Sequence, residues 1–178
     1  MEFRILGTFE VIAADGALDL DDPDQRQLLA YLATHAGETV PPAQLVPALW
    51  GDVAVDLGAQ RLSDCGEGLR ALLQDHGAVL RVGSDGWMLE VDAADVDAHR
   101  FEDRLASAEA EEDLDRRLAH LDVALAWWRG APLGDLAGAA WAERETARLG
   151  GLFRRALLRR CETLLDLGGA AEEAAHLG

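Results

Sequence analysis

The sequence predicts an α+β domain over residues 1–95 followed by an all-α domain over residues 96–178. Three observations carry that division. Strand-like runs open and close the first half, with three helical patterns between them. Beyond Asp92-Ala93-Ala94-Asp95-Val96-Asp97 every strong periodic signal is helical. A chain of 178 residues with 49% apolar content suits two small cores better than one.

Phe3-Arg4-Ile5-Leu6 and Phe9-Glu10-Val11-Ile12 read as strands around Gly7, and Asp15-Gly16 as a turn before a third run, Ala17-Leu18-Asp19-Leu20. Carboxylates and a proline at Asp21-Asp22-Pro23-Asp24 then open a helix, with Leu28, Leu29, Leu32 and Ala33 at helical spacing. It is expected from about Asp24 to Ala36, ended by Gly37. Pro41-Pro42 starts a second helix, stopped after Trp50 by Gly51-Asp52. A third is expected over about Ala59 to Asp75, with Leu62, Leu69 and Leu73 on one face. Val79-Leu80-Arg81-Val82 and Trp87-Met88-Leu89-Glu90-Val91, joined by Gly83-Ser84-Asp85-Gly86, make a hairpin. Strands, three helices and a hairpin, in that order, are the order of a winged helix with an N-terminal sheet.

In the second half, Leu114, Leu118, Leu121, Leu125 and Trp128 recur at steps of four and three, closed by Gly130 and Pro132. A longer helix is expected from about Ala139 to Leu167, with an interruption at Gly150-Gly151 and a stop at Gly168-Gly169. A last short helix, Ala170 to His176, follows. Helix pairs of this size suggest tetratricopeptide-like packing.

Charge narrows the partners. The chain carries a formal charge of −17, and its first 95 residues hold five Arg, no Lys and seventeen Asp or Glu. Such a surface opposes nonspecific attraction to nucleic acid or anionic lipid and favours a basic protein partner or a neutral small molecule. No window is long and apolar enough to span a bilayer, and no secretory signal pattern opens the chain, so a cytoplasmic protein is expected. Cys65 and Cys161 are expected to be free thiols, and the scattered His and Cys give no metal-ligand spacing and call for no cofactor.

Six stretches in order carry a family resemblance. They are Phe3-Arg4-Ile5-Leu6-Gly7 with Glu10-Val11, then Arg26-Gln27-Leu28-Leu29-Ala30, then Leu45 through Leu49-Trp50-Gly51-Asp52. Gly86-Trp87-Met88-Leu89, Asp97-Ala98-His99-Arg100-Phe101-Glu102 and Ala124-Leu125-Ala126-Trp127-Trp128-Arg129-Gly130-Ala131-Pro132-Leu133 complete the set. In these the chain resembles the SARP family, regulators of antibiotic clusters that join an OmpR-type winged helix to a helical bacterial transcriptional activator domain. The resemblance implies a DNA-binding transcriptional activator that contacts RNA polymerase through its helical half. It also implies an activator domain of about half the usual length, since family members run on through several more helices.

The third helix, which enters the major groove in winged-helix regulators, departs from the family's basic pattern. Gly68 and Ala71 stand where the family resemblance places Arg, and Asp24 stands where it places a Lys. On the outward face Asp64, Glu67 and Asp75 more than offset Arg61 and Arg70. Arg61 with Asp64, and Glu67 with Arg70, are three apart and expected to pair locally. Gly66 and Gly68 each cost roughly 1 kcal/mol in mid-helix. Either an unused element has drifted, or small residues open room for something to approach the backbone.

Other residues invite specific roles. Cys65, Asp64, Glu67 and His35 are what a catalytic site would have to draw on, but Cys65 has core spacing and no His within helical reach, so no catalytic residue is assigned. Trp127 and Trp128 are adjacent and cannot both point inward, which makes Trp127 the candidate for a domain interface, pocket wall or partner surface. Trp87, Arg61 and Arg70 join it as candidate ligand or partner residues. Arg144, Arg148, Arg155 and Arg159 form a basic strip. It either stays solvated with local partners such as Glu145 and Glu162 or docks against the acidic first domain.

Three functional readings follow. The preferred one is a regulator-derived protein of an antibiotic or secondary-metabolite pathway whose DNA reading is lost. It would act through a protein partner or small molecule, for instance by sequestering a related activator, and a homodimer fits the same reading. A DNA-binding activator of a biosynthetic cluster is the second. A winged-helix scaffold reused as a biosynthetic enzyme, with a cavity between the acidic helix and Trp127 or Trp87, is the third.

Overall fold

A computed structural model describes the backbone of residues 1–177 and the side-chain environment of residues 1–168. β1 (Glu2–Arg4) and β2 (Glu10–Ala13) pair antiparallel with Phe3 opposite Val11, and β3 (Gly16–Ala17) adds a short edge. β1 stops at Arg4 rather than Leu6 because the next two N–H groups turn away from β2. Ile5 N–H donates to Asp97 Oδ1 at 2.6 Å and Leu6 N–H to Asp97 Oδ2 at 3.2 Å.

α1 (Pro23–Thr34) begins where the Asp22 carboxylate accepts from the N–H groups of Asp24 and Gln25, with Pro23 in the first turn. α2 (Pro42–Trp50) ends at Gly51, whose φ of +69° favours glycine. α3 (Val55–Gln74) starts four residues before the expected position. Its first turn exposes Val55, Asp56 and Leu57, so no buried periodicity marked it. Its one buried residue is Gly58, where a Cβ would lie 2.5 Å from Val46 Cγ1. β4 (Val79–Val82) and β5 (Trp87–Glu90) form the wing. The wing hangs on the loop before α2 through Val40 N–H to Trp87 O at 2.8 Å and Trp87 N–H to Val40 O at 2.9 Å.

α4 (Asp97–Ala110) and α5 (Leu114–Ala126) pack together with α6 (Ala140–Leu177). α6 is one continuous helix: the interruption expected at Gly150-Gly151, the stop at Gly168-Gly169 and the separate helix from Ala170 to His176 are all replaced by it. Buried Leu149 and Ala156 bracket the glycine pair, and Phe153 packs on Trp128 with ring centroids 4.4 Å apart, so tertiary packing overrides the glycine propensity.

The buried apolar residues from Phe3 to Ala156 form one contiguous core, not two. The two halves are fused by backbone hydrogen bonds. Arg129 N–H donates to Leu6 O at 2.8 Å and Leu133 N–H to Ile5 O at 3.0 Å, while Phe9 N–H donates to Asp135 Oδ1 at 2.8 Å. Arg26 pairs with Asp135 at 2.6 Å, and Arg100 reaches Glu2. Leu133 is held at φ +52°, a left-handed conformation uncommon outside glycine. Its side chain is buried and its N–H is committed to Ile5, so the seam over-determines that backbone.

Asp97 sits at the centre of this seam, 1% exposed, with Arg129 Nη1 3.0 Å from its Oδ2. Burial pushes its carboxyl above the usual Asp range, against the pull of Ile5 N–H, the Arg129 guanidinium and Leu6 N–H. Glu2 lies in the opposite balance. Burial raises it, but hydrogen bonds from Arg4 and Arg100 outweigh that and hold it below the ordinary carboxylate range.

Candidate functional site

The wing and α3 frame the surface a winged helix offers to DNA. Along α3 the exposed positions include Asp56, Gln60, Ser63, Asp64, Glu67, Arg70, Ala71, Gln74 and Asp75, while Leu62, Cys65, Gly66, Leu69 and Leu73 are buried. The helix therefore turns its carboxylates outward and its leucines inward.

Arg61 does not pair with Asp64. It reaches back to α1, where its Nη2 and Nε donate to Asp24 Oδ2 at 2.6 and 3.2 Å. Its guanidinium also stacks on the Trp50 ring, 4.6 Å from the centroid, and Trp50 Nε1–H donates to Asp24 Oδ1 at 2.8 Å. Asp24, Trp50 and Arg61 thus knot the three helices together, and the cation is spent within the domain. Asp64 instead accepts from Gln60 Nε2 at 3.2 Å. Among the described residues no Glu67–Arg70 ion pair forms, which leaves Arg70 exposed without a carboxylate partner. In the wing, Arg81 is held by Glu90 at 2.6 Å.

The α3 glycines admit neighbouring side chains. A Cβ on Gly66 would lie 2.2 Å from Trp87 Cη2, and one on Gly68 would lie 2.5 Å from Gln25 Nε2. What approaches the helix backbone at Gly66 is therefore the chain's own tryptophan. Trp87 is 6% exposed and serves as core, a correction to its expected place on a partner surface. It leaves only a cavity of about 200 Å³ toward Leu62, Glu67, Arg70 and Val82, below the range of ordinary ligand pockets.

The catalytic candidates are not brought together. Cys65 is buried on the inner face of α3, and burial pushes its thiol up to about 11, reinforced by Asp24 and Asp22. Asp64 and Glu67 point to the other face. His35 stacks on Tyr31 at 4.6 Å, with its Nδ1 2.9 Å from the Tyr31 carbonyl oxygen. Among the described residues no His, Cys, Asp and Glu group has metal-binding geometry.

Trp127 is half-buried beneath the Arg100 guanidinium, 5.3 Å from its centroid, and Arg100 in turn reaches Glu2 of β1. The basic strip finds its partners on the helical half rather than on the acidic first domain. Arg148 pairs with Glu145 and Glu102 at 2.6 and 2.8 Å, Arg155 with Glu109 at 2.5 Å, and Arg159 with Glu162 at 3.2 Å. Glu102 and Glu109 are seven apart on α4, matching Arg148 and Arg155 on α6, which explains why the strip turns that way. Arg144 is exposed.

Sequence reasoning missed two features. Asp24 was visible as a charge reversal but not as the residue that captures Arg61. Beside α3, an apolar groove of about 690 Å³ runs between α2 and the first turn of α3, lined by Pro42, Val46, Pro47, Val53, Val55 and Ala59, with Asp52 on its wall. Val55 is 83% exposed there.

A winged helix fused through a buried seam to a helical bundle defines this molecule as a transcriptional-regulator fold. Residues 96–178 match the bacterial transcriptional activator domain. Over 99% of the chain it is 30% identical to the transcriptional regulator RedD of Streptomyces coelicolor, covering 53% of that protein. It is 33% identical to the regulatory protein DnrI of Streptomyces peucetius over 80% of the chain and 57% of that protein. Among solved structures, Mycobacterium tuberculosis EmbR in complex with a low-affinity phosphopeptide superposes with a TM-score of 0.86 at 25% identity, covering 99% of this chain and 48% of that one. The chain is similar to these regulators over most of its length, and it spans about half the length of these relatives. Among the described residues no helix is long and apolar enough to cross a membrane.

Proposed function

We propose that this chain is a SARP-family regulator of a secondary-metabolite pathway that works through protein contact and does not hold DNA by its own winged helix. The observation that carries this reading is the Asp24 capture of Arg61. Where the family resemblance places a Lys, a carboxylate stands, and it also takes the first arginine of α3 out of reach of a phosphate. Arg81 is occupied by Glu90, which leaves Arg70 to act alone beside Asp64, Glu67 and Asp75. Affinity for a duplex grows with the number of phosphates neutralised, and one arginine among carboxylates supplies none of the net attraction that binding needs.

The same surface suits a basic protein partner. Its carboxylates steer a cationic segment, and the apolar groove between α2 and α3 lies next to them. Fluorescence anisotropy of a labelled duplex library of random sequence, titrated with the chain at low salt, tests the reading. A flat signal is expected. Saturable binding that weakens steeply with added salt would overturn it.

A further inference from the structure

The loop that follows α5 leaves a pocket against α6, away from the α3 surface. Its volume is about 590 Å³, and it lies between Trp128, Pro132, Thr146, Gly150, Phe153 and Arg154. That volume is within the range of small-molecule sites. The four α6 residues fall within about a third of the helix circumference, so they present one face to the loop.

The walls are held in place from several sides. Trp128 meets Phe101 edge-on with ring centroids 5.2 Å apart and Phe153 at 4.4 Å, which fixes two half-buried aromatic rings beside the opening. Thr146 Oγ1 donates to the Pro132 carbonyl at 2.8 Å and ties the loop to α6. The other side of the loop is pinned by Arg129 N–H to Leu6 O and Leu133 N–H to Ile5 O. A pocket built this way needs little ordering when something enters it.

Its one charged lining group is unspent. Arg155, Arg159 and Arg160 are held by Glu109, Glu162 and Asp122, whereas Arg154 meets no carboxylate among the described residues. Its guanidinium lies over the glycine pair, with Nη1 3.6 Å from a Cβ position on Gly150 and Nη2 3.9 Å from one on Gly151. The pair that argued for a helix break therefore gives the cation a seat at the pocket floor. On this face of α6 the first acid toward the N-terminus is Glu143, about 16 Å of helix rise from Arg154.

We propose that this pocket binds a flat aromatic carboxylate of two or three fused rings. The ring lies against Trp128 and Phe153, and the carboxylate accepts from the Arg154 guanidinium, whose planar fork suits two parallel hydrogen bonds. The chain's formal charge of −17 opposes an anion at long range, so affinity comes from contact in the pocket. The site is separate from α3 and stands whether or not the winged helix meets DNA.

Isothermal titration calorimetry of the 178-residue chain with 2-naphthoate and with its neutral counterpart 2-naphthylmethanol tests the proposal. Naphthoate should bind at one site with a dissociation constant of about 10⁻⁴ M, and the alcohol about tenfold more weakly. Arg154→Met keeps an apolar stem at an exposed position and should keep its circular dichroism spectrum. It should weaken naphthoate about tenfold and leave the alcohol unchanged. Gly150→Leu, at a position where an added Cβ makes only ordinary contact, should fill the floor and abolish binding of both. Absence of naphthoate binding up to about 1 mM overturns the proposal. Equal affinity for the two probes, naphthoate binding that survives Arg154→Met, or binding that survives Gly150→Leu overturns it as well.

Discussion

A single carboxylate at position 24 changes the electrostatics of the whole third helix, because it holds Arg61 at 2.6 Å and accepts from Trp50 with its other oxygen. Residues on α3 that look like concessions in the sequence turn out to be fitted to particular neighbours, and Gly66 is the sharpest example. Gly66→Ala would drive a methyl into the Trp87 ring. Overpacking of this kind costs about 1–3 kcal/mol, to be read from urea denaturation of the variant; unchanged stability would show that the Trp87 ring can move aside. The seam offers a pH-dependent test. Because Glu2 titrates below its ordinary range in the folded chain, its stabilising contribution is present above that range and is lost as pH falls through the depressed value. The Tm deficit of Glu2→Gln at neutral pH should therefore shrink on acidification, and a constant deficit would refute the assignment.

The elements differ in how plainly the sequence marks them. α1, α2 and the wing were legible because Asp22-Pro23, Pro41-Pro42, Gly51 and the Gly83-to-Gly86 turn punctuate them with residues whose backbone preferences are strong. The first turn of α3 was hidden because it buries little beyond a glycine, and the continuity of α6 because two glycines argued locally against a helix that Leu149, Phe153 and Ala156 hold from outside. The basic strip was legible as a strip, but not its target, since Glu102 and Glu109 meet it only after α4 folds against α6. These pairs are exposed, so Arg155→Ala should change stability by less than about 1 kcal/mol. A larger loss in a double-mutant cycle with Glu109→Ala would mean that the pair couples to something deeper.

At the scale of the whole molecule, the expected boundary between residues 95 and 96 is a position in the chain and not a break in the core. Asp97, Arg129 and the backbone of Ile5 and Leu6 join residues about 90 and 30 positions apart, a constellation that no local pattern encodes. Asp97→Ala strands two buried N–H groups and one side of Arg129, at a cost of about 3 kcal/mol. For a chain of this size that lowers Tm by roughly 6–12 °C. A single calorimetric transition is expected for the wild type, and two transitions would mean that the halves fold separately. A rigid seam also means that the orientation of the acidic α3 face is fixed relative to α6, so partner contact at one end is presented in a set geometry with respect to the other.

The salt dependence of duplex binding, measured side by side for the chain and for Asp24→Lys, bears most directly on the electrostatic account. The wild type should show no salt-sensitive binding. Asp24→Lys replaces the captor of Arg61 with a cation and frees that arginine, so two phosphate contacts should appear, with log K falling against log salt at a slope of roughly −2. A wild type that binds as tightly as the variant, with an equal slope, would contradict the account.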